Sequence, residues 1–269
     1  MAIVVETLAS TAMGGGSSIT KPTGLTVGDL LLAIVADDQY DYDALAAPAG
    51  WTTLGRYTSG DADKRVEVLV CYIVATSTET AASSFTFTNA SGGILYRISG
   101  AVPSLMSEGV GSVYGSQNLV IAVGASGDND SDYATFSGYS VSGGDSPTMT
   151  ERFDSYNTAG FRESLGVADG IYNSSSDITS YNVTITEVGG SDSLMTLLIK
   201  IPAIQNATAS NALLQTSPVT FATLTGSTQT VSNLLHEATP EIETQSVQYA
   251  QTTAWSAESK PSTTWTSET

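Results

Sequence analysis

A single histidine and a single cysteine supply all the imidazole and thiol chemistry in this 269-residue chain. His236 stands in a polar C-terminal stretch, far in sequence from the apolar segments, and no G-x-S-x-G elbow occurs. A Ser-His-Asp hydrolase would therefore need a base from outside its own domain. Cys71 alternates with Leu69 and Ile73 in an apolar run and reads as a small buried hydrophobe. So few soft ligands argue against a transition-metal site, and one cysteine permits no intrachain disulfide. No cofactor or metal is expected.

Carboxylates are the abundant reactive groups: 27 acids against 9 bases give a net charge of −18. Asp37, Asp38, Asp41 and Asp43 follow an apolar run and must be solvated, because four clustered acids repel one another in a core. Asp128, Asp130 and Asp132 alternate like the first half of a calcium loop. Tyr133 then stands where that loop needs glycine, and Tyr139 where it needs a bidentate acid, so the motif fails. A simpler cation site or plain solvated charge is what remains. A glycosidase needs two carboxyls about 5–10 Å apart across a cleft. Asp154, Glu163 and Asp169 are candidates, but no spacing selects a pair, and the chain is not expected to be an enzyme. Among aromatics, Trp51 enters a strand after a Pro/Gly turn and reads as a core plug rather than a sugar platform. Tyr40, Tyr42, Tyr133, Tyr139 and Tyr156 are expected in polar loops, where tyrosine serves recognition.

The acidity disfavours a grip on nucleic-acid phosphates, which needs clustered Lys and Arg. Residues 1–16 lack the basic start of a signal peptide, and no apolar run approaches a membrane span, so synthesis in a cytoplasm and no membrane partner are expected.

The elements that must position these groups are strands. Residues 65–76 alternate: Val66, Val68, Val70 and Tyr72 share one face, while the other opens with Glu67, as at a wet edge, and turns apolar. Residues 29–36 are continuously apolar after Asp29, as in a strand covered on both faces. Eight further runs, 3–8, 51–57, 84–88, 94–99, 119–125, 165–172, 181–186 and 194–201, are separated by Gly, Ser, Asn and Asp clusters. The pattern predicts an all-β fold, an antiparallel jelly-roll-like β-sandwich over residues 1–202. Residues 203–269 are rich in Ser, Thr, Gln and Ala, and form a mostly irregular C-terminal docking arm. Only residues 233–238 could make a helical turn or two. Trp255 and Trp265 flank Lys260 and Pro261; these four are the expected partner-binding residues, the indoles acting as anchors on a neighbouring protein.

Lys21-Pro22-Thr23-Gly24 leading to Gly28-Asp29-Leu30-Leu31 resembles the opening of a domain of tailed-bacteriophage virion proteins. The Pro48-Ala49-Gly50-Trp51 turn, the strand that ends near Ala75, Phe85-Thr86-Phe87 and residues 94–100 follow in the same order. Ile73 stands where the resemblance leads one to expect a lysine. The ending Trp255-x4-Lys260-Pro261-Ser262-Thr263-x-Trp265 resembles C-termini of tail and neck components. The resemblance implies a non-enzymatic virion structural protein, a capsid decoration or a neck- or tail-attached component. Its partners would be other virion proteins and copies of itself. A carbohydrate- or receptor-binding module facing host surface glycan is the alternative, and a carboxylate depolymerase the third reading.

Overall fold

Side-chain alternation places every long strand. In β3 (Leu30–Asp38), Leu30, Leu32, Ile34 and Ala36 face one side while Leu31, Ala33 and Val35 face the other, and all seven are buried. That two-sided burial explains the unbroken apolar run. In the computed structural model, which describes residues 2–38, 44–60, 65–128, 133–157, 162–188 and 193–204, β3 is the centre of a five-stranded antiparallel sheet. Its order is β1 (Val4–Thr11), β7 (Gly92–Ser99), β3, β5 (Val66–Val74) and β4 (Thr52–Ser59). A second five-stranded antiparallel sheet runs β11 (Thr150–Tyr156), β12 (Arg162–Tyr172), β9 (Asn118–Asp128), β14 (Ser193–Pro202) and β8 (Ser107–Glu108). The inner faces close on one core, in which Leu30, Leu32 and Ile34 meet Ile121, Val123 and Val167. The all-β antiparallel sandwich expected from the pattern is the observed fold.

Each sheet also carries a smaller two-stranded layer on its outer face. Over the first lie β2 (Ser18–Thr20) and β6 (Ser84–Thr86), enclosing Ile19, Phe85, Phe87 and Cys71. Over the second lie β10 (Tyr133–Gly143) and β13 (Ile178–Val188), enclosing Phe136, Val141, Tyr172 and Leu198. Trp51 packs edge-on against Phe85 and Phe87, at centroid distances of 5.4 and 5.6 Å, and plugs that outer layer as expected. The one α-helix among the described residues, α1 (Ser77–Ala81), starts at a capping box formed by Thr76 and Glu79.

The chain completes the first five-stranded sheet before beginning the second, so strands do not shuttle between the two main sheets as in two interleaved Greek keys. The described residues belong to one compact unit, Met1–Gln205. His236, Trp255, Lys260, Pro261 and Trp265 lie outside the described residues, as do Tyr40, Tyr42, Asp41, Asp43, Asp130 and Asp132.

Three local expectations need correction. Tyr133 and Tyr139 sit on β10 and Tyr156 ends β11, so none of the three is a loop residue. The polar stretch that hid β10 is broken by a register shift between Ser137 and Ser140, where Gly138 adopts φ +57°. Glu67 is not at a wet edge. It is fully buried, ion-paired with Arg56 and accepting the Leu45 amide at 3.3 Å, because the segment around Ala46 crosses over it to bridge Thr88.

Candidate functional site

Strand direction brings the ends of β3, β9 and β13 to one end of the sandwich. β3 ends opposite the start of β5 (Asp38 facing Val66), and β9 ends opposite the start of β12 (Asp128 facing Arg162). β10 begins opposite the end of β13 (Tyr133 facing Val188). Ser59 Oγ donates across the layers to Leu194 O at 2.8 Å, so both sheets share this end. Here Tyr133 and Tyr156 stack face to face, with centroids 3.9 Å apart and planes inclined by 12°. Both rings are half-buried, an aromatic pair at the strand tips.

Beneath that end lies Glu163, at the start of β12 and 2% exposed. Its Oε1 accepts from the Ser91 hydroxyl and, at 3.1 Å, from Asn157 Nδ2. The Gly14 amide donates to Ser91 Oγ at 2.8 Å, and the Met13 amide to Ser155 Oγ at 3.0 Å. Gly14 has φ +77°, and a Cβ there would strike the Asn157 carboxamide, so glycine is required. Burial raises the Glu163 carboxyl above its ordinary range, against the opposing effect of the Ser91 and Asn157 hydrogen bonds. The cluster fastens the β1–β2 connection and the turn before β7 to the second sheet.

Asp169 lies six residues along β12 on the same inner face, 3% exposed. Arg152 holds it through two hydrogen bonds, Nε to Oδ2 at 2.8 Å and Nη2 to Oδ1 at 3.0 Å. That bidentate pairing raises the Arg152 guanidinium. The neighbouring Tyr96 hydroxyl is raised well above the phenolic range, by burial first and by the Asp169 charge second. Six residues of strand separate Glu163 from Asp169 by about 20 Å. Asp154 on β11 faces the opposite side of the sheet and accepts the Phe136 amide at 3.4 Å; burial raises its carboxyl. The three glycosidase candidates therefore form no pair across a cleft. Among the described residues no group of three His, Cys, Asp or Glu is placed to hold a metal ion.

The remaining motif residues form joints of the framework. Asp29 Oδ2 accepts from the Thr26 amide and hydroxyl, each at 2.8 Å, and from Arg97 Nε at 2.7 Å. Arg97 Nη1 also reaches Thr23 O at 3.3 Å. Gly24 has φ +71°, and a Cβ on it would meet the Arg97 guanidinium. Lys21 Nζ donates to Thr80 O, and Gly50, with φ +86°, shapes the turn that presents Trp51. The Lys-Pro-Thr-Gly to Gly-Asp run is thus the knot that starts β3. Cys71 is buried, and its thiol is pushed up to about 12 by desolvation, so it is inert as a nucleophile. No membrane-crossing helix is present among the described residues.

Sequence reasoning named Asp154, Glu163 and Asp169 but missed the partners Ser91, Asn157 and Arg152; Ser91 comes from a distant segment, and Asn157 and Arg152 lie on the side of the neighbouring strand with no motif to mark them. Comparison with protein-family models, with curated proteins and with solved structures finds no match.

Proposed function

We propose that this chain is a non-enzymatic structural component of a tailed-bacteriophage virion, a rigid β-sandwich fastened to neighbouring virion proteins by its C-terminal arm. The observation that carries the reading is the ordered set of motifs from Lys21 to Gly100. Each of them does framework work: Asp29, Arg97, Gly24 and Trp51 all stabilise joints of the first sheet. A scaffold that experiences load benefits from such cross-ties, because buried, hydrogen-bonded connections open only at high free-energy cost. The net charge of −18 suits an outward-facing surface more than one lying on packaged nucleic acid.

Trp255, Lys260, Pro261 and Trp265 are the residues assigned to docking. The indoles supply contact area, and Pro261 restrains the backbone, so that less disorder is lost on binding. Many weak contacts of this kind gain strength through copy number. The test is particle composition. Virions purified from the encoding phage contain the chain in stoichiometric amounts, and deletion of residues 254–269 strips it from them; recovery of the full-length chain only from the particle-free lysate overturns the reading.

The stacked Tyr133–Tyr156 pair favours one second reading, a glycan- or receptor-binding tip. Saturable binding on a glycan array that is lost in Tyr156→Ala supports it, and a blank array counts against it.

A further inference from the structure

The two sheets have the same strand order. Counting strands from the start of each half, the first sheet runs first, seventh, central, fifth, fourth, and the second sheet, read from β8, does the same. The two remaining strands of each half pair with each other as the outer layer, β2 with β6 and β10 with β13. Only the place of the outer strand, before the central strand in one half and after it in the other, differs.

Register extends the match to single residues. Leu30, Leu32 and Ile34 of β3 pair with Val74, Tyr72 and Val70 on one side and Ile98, Tyr96 and Ile94 on the other. Leu119, Ile121 and Val123 of β9 pair with Ile171, Asp169 and Val167, and with Ile201, Ile199 and Leu197. The segment Asp-Leu-Leu-Leu-Ala-Ile-Val-Ala, 29–36, thereby falls on Asn-Leu-Val-Ile-Ala-Val-Gly-Ala, 118–125. The fourth strand of each half carries a bulge at one equivalent residue, Leu54 between Thr53 and Gly55, and Arg152 between Glu151 and Phe153. Equivalent cations do equivalent work. Arg97 bonds Thr23 O, six residues before Asp29, and Lys200 Nζ bonds Ser112 O at 2.9 Å, six residues before Asn118. Packing between the central and fifth strands of the two sheets is reciprocal as well, β3 lying on β12 and β9 on β5, with β3 and β9 meeting; the contacts of β14 with β4 and β5 belong to one half alone. Reciprocity of this kind is what a two-fold interface produces.

We infer that the sandwich is two tandem copies of one seven-strand unit, residues 2–100 and 101–204, and that each unit's inner face binds the other as the subunits of a dimer would. The inference stands apart from the virion reading and does not depend on it. The apolar inner face is then a unit-to-unit docking surface whose occupant is a second copy of the same unit, tethered through the crossover after Gly100. Polar residues on that face, Glu163 and Asp169, take the places of Val66 and Tyr72, so the second copy has diverged toward a fixed asymmetric pairing.

Two measurements on the full chain test this. A site-specific protease site placed between Gly100 and Ala101 allows the folded protein to be cut at the tether. The pieces are expected to remain a single particle and, after denaturant is removed, to regain the uncut near-ultraviolet dichroism; pieces that separate under native conditions, or fail to reassociate, overturn the dimer-like docking. Equivalence of the copies is read by hydrogen exchange in Arg97→Met and Lys200→Met. The first is expected to speed exchange at Thr26 and Gly28 by about tenfold and leave Gly111 unchanged, and the second to do the reverse. A response at both places or at neither in either variant overturns the equivalence. Should a methionine variant fail to fold, the double exchange Arg97→Lys with Lys200→Arg decides. A melting shift under about 4 °C supports equivalence, and a larger shift refutes it.

Discussion

The ring of Phe136 fills the space directly above Gly166, where any side chain would stand. Gly124, facing Gly166 on the adjacent strand, completes the recess, so that the outer strand β10 inserts a large side chain into a main sheet with no Cβ atoms at that point. Ala122 and Ala168 line the same outer face, keeping the approach close.

Gly166→Ala and Gly124→Ala are therefore expected to destabilise the fold by about 1–3 kcal/mol through overpacking. Urea unfolding measures this directly. Phe136→Leu combined with Gly166→Ala is not expected to recover the loss, because leucine keeps the Cβ and Cγ that a Gly166 side chain would meet.

Acid sensitivity follows from Asp29. Burial alone raises its carboxyl, but hydrogen bonds from the Thr26 amide, Arg97 and the Thr26 hydroxyl outweigh this and hold it below the ordinary value. A carboxyl depressed by folding contributes stability that is present above its unfolded pKa, about 3.9, and lost as pH falls through the folded value. Asp29→Asn is expected to lower the urea midpoint at pH 7 and to converge with the parent protein once pH falls below the depressed folded value.

Glu163 has the opposite sign. Folding raises its carboxyl, so between the unfolded value, about 4.3, and the higher folded value the native state binds the extra proton, and stability falls as pH rises. Glu163→Gln keeps an acceptor for Ser91 and Asn157 without the charge. It is expected to raise the urea midpoint at pH 7 and to make no difference near pH 4. A lower midpoint at pH 7 would show that the charge itself is needed.

Arg152 and Asp169 should behave as a unit. Removing the guanidinium in Arg152→Leu leaves Asp169 buried without its counter-ion and costs about 2–4 kcal/mol, discounted for the partial exposure of the arginine. Arg152→Leu with Asp169→Leu recovers most of that loss, since an apolar pair carries no desolvation penalty. A double-mutant cycle of thermal unfolding reports the coupling.

Deleting residues 254–269 is expected to leave the melting of the sandwich within about 2 °C of the parent, because the buried core between the sheets is built from side chains of residues 3–203. Calorimetry is the check, and it separates a docking role for Trp255 and Trp265 from a folding role.

Much of the sandwich was legible because burial on two faces, as in β3 and β9, writes an apolar run, and turns write Gly and Asp. β10 and β11 were not legible. Only Ala134, Phe136 and Val141 of β10 are buried, and a glycine-centred register shift interrupts their spacing. Glu67 misled for a related reason, since one acid at a strand start looks solvated until a distant segment crosses over it. The candidate site was half visible: Glu163 and Asp169 stood out as acids, but their partners Ser91 and Arg152 are defined only by three-dimensional neighbours. The internal copying escaped notice because the equivalent residues are mostly different aliphatics, matched in burial and register but seldom in identity.

Passing between the two main sheets only once also governs the order of synthesis. The ribosome delivers every strand of the first sheet before any of the second, so a nascent chain exposes the greasy side formed by Leu32, Ile34 and Val68 until Val123 and Ile199 arrive to cover it. That interval is when the newborn polypeptide is most prone to clump, and a strongly negative chain is one that self-repulsion helps to keep apart.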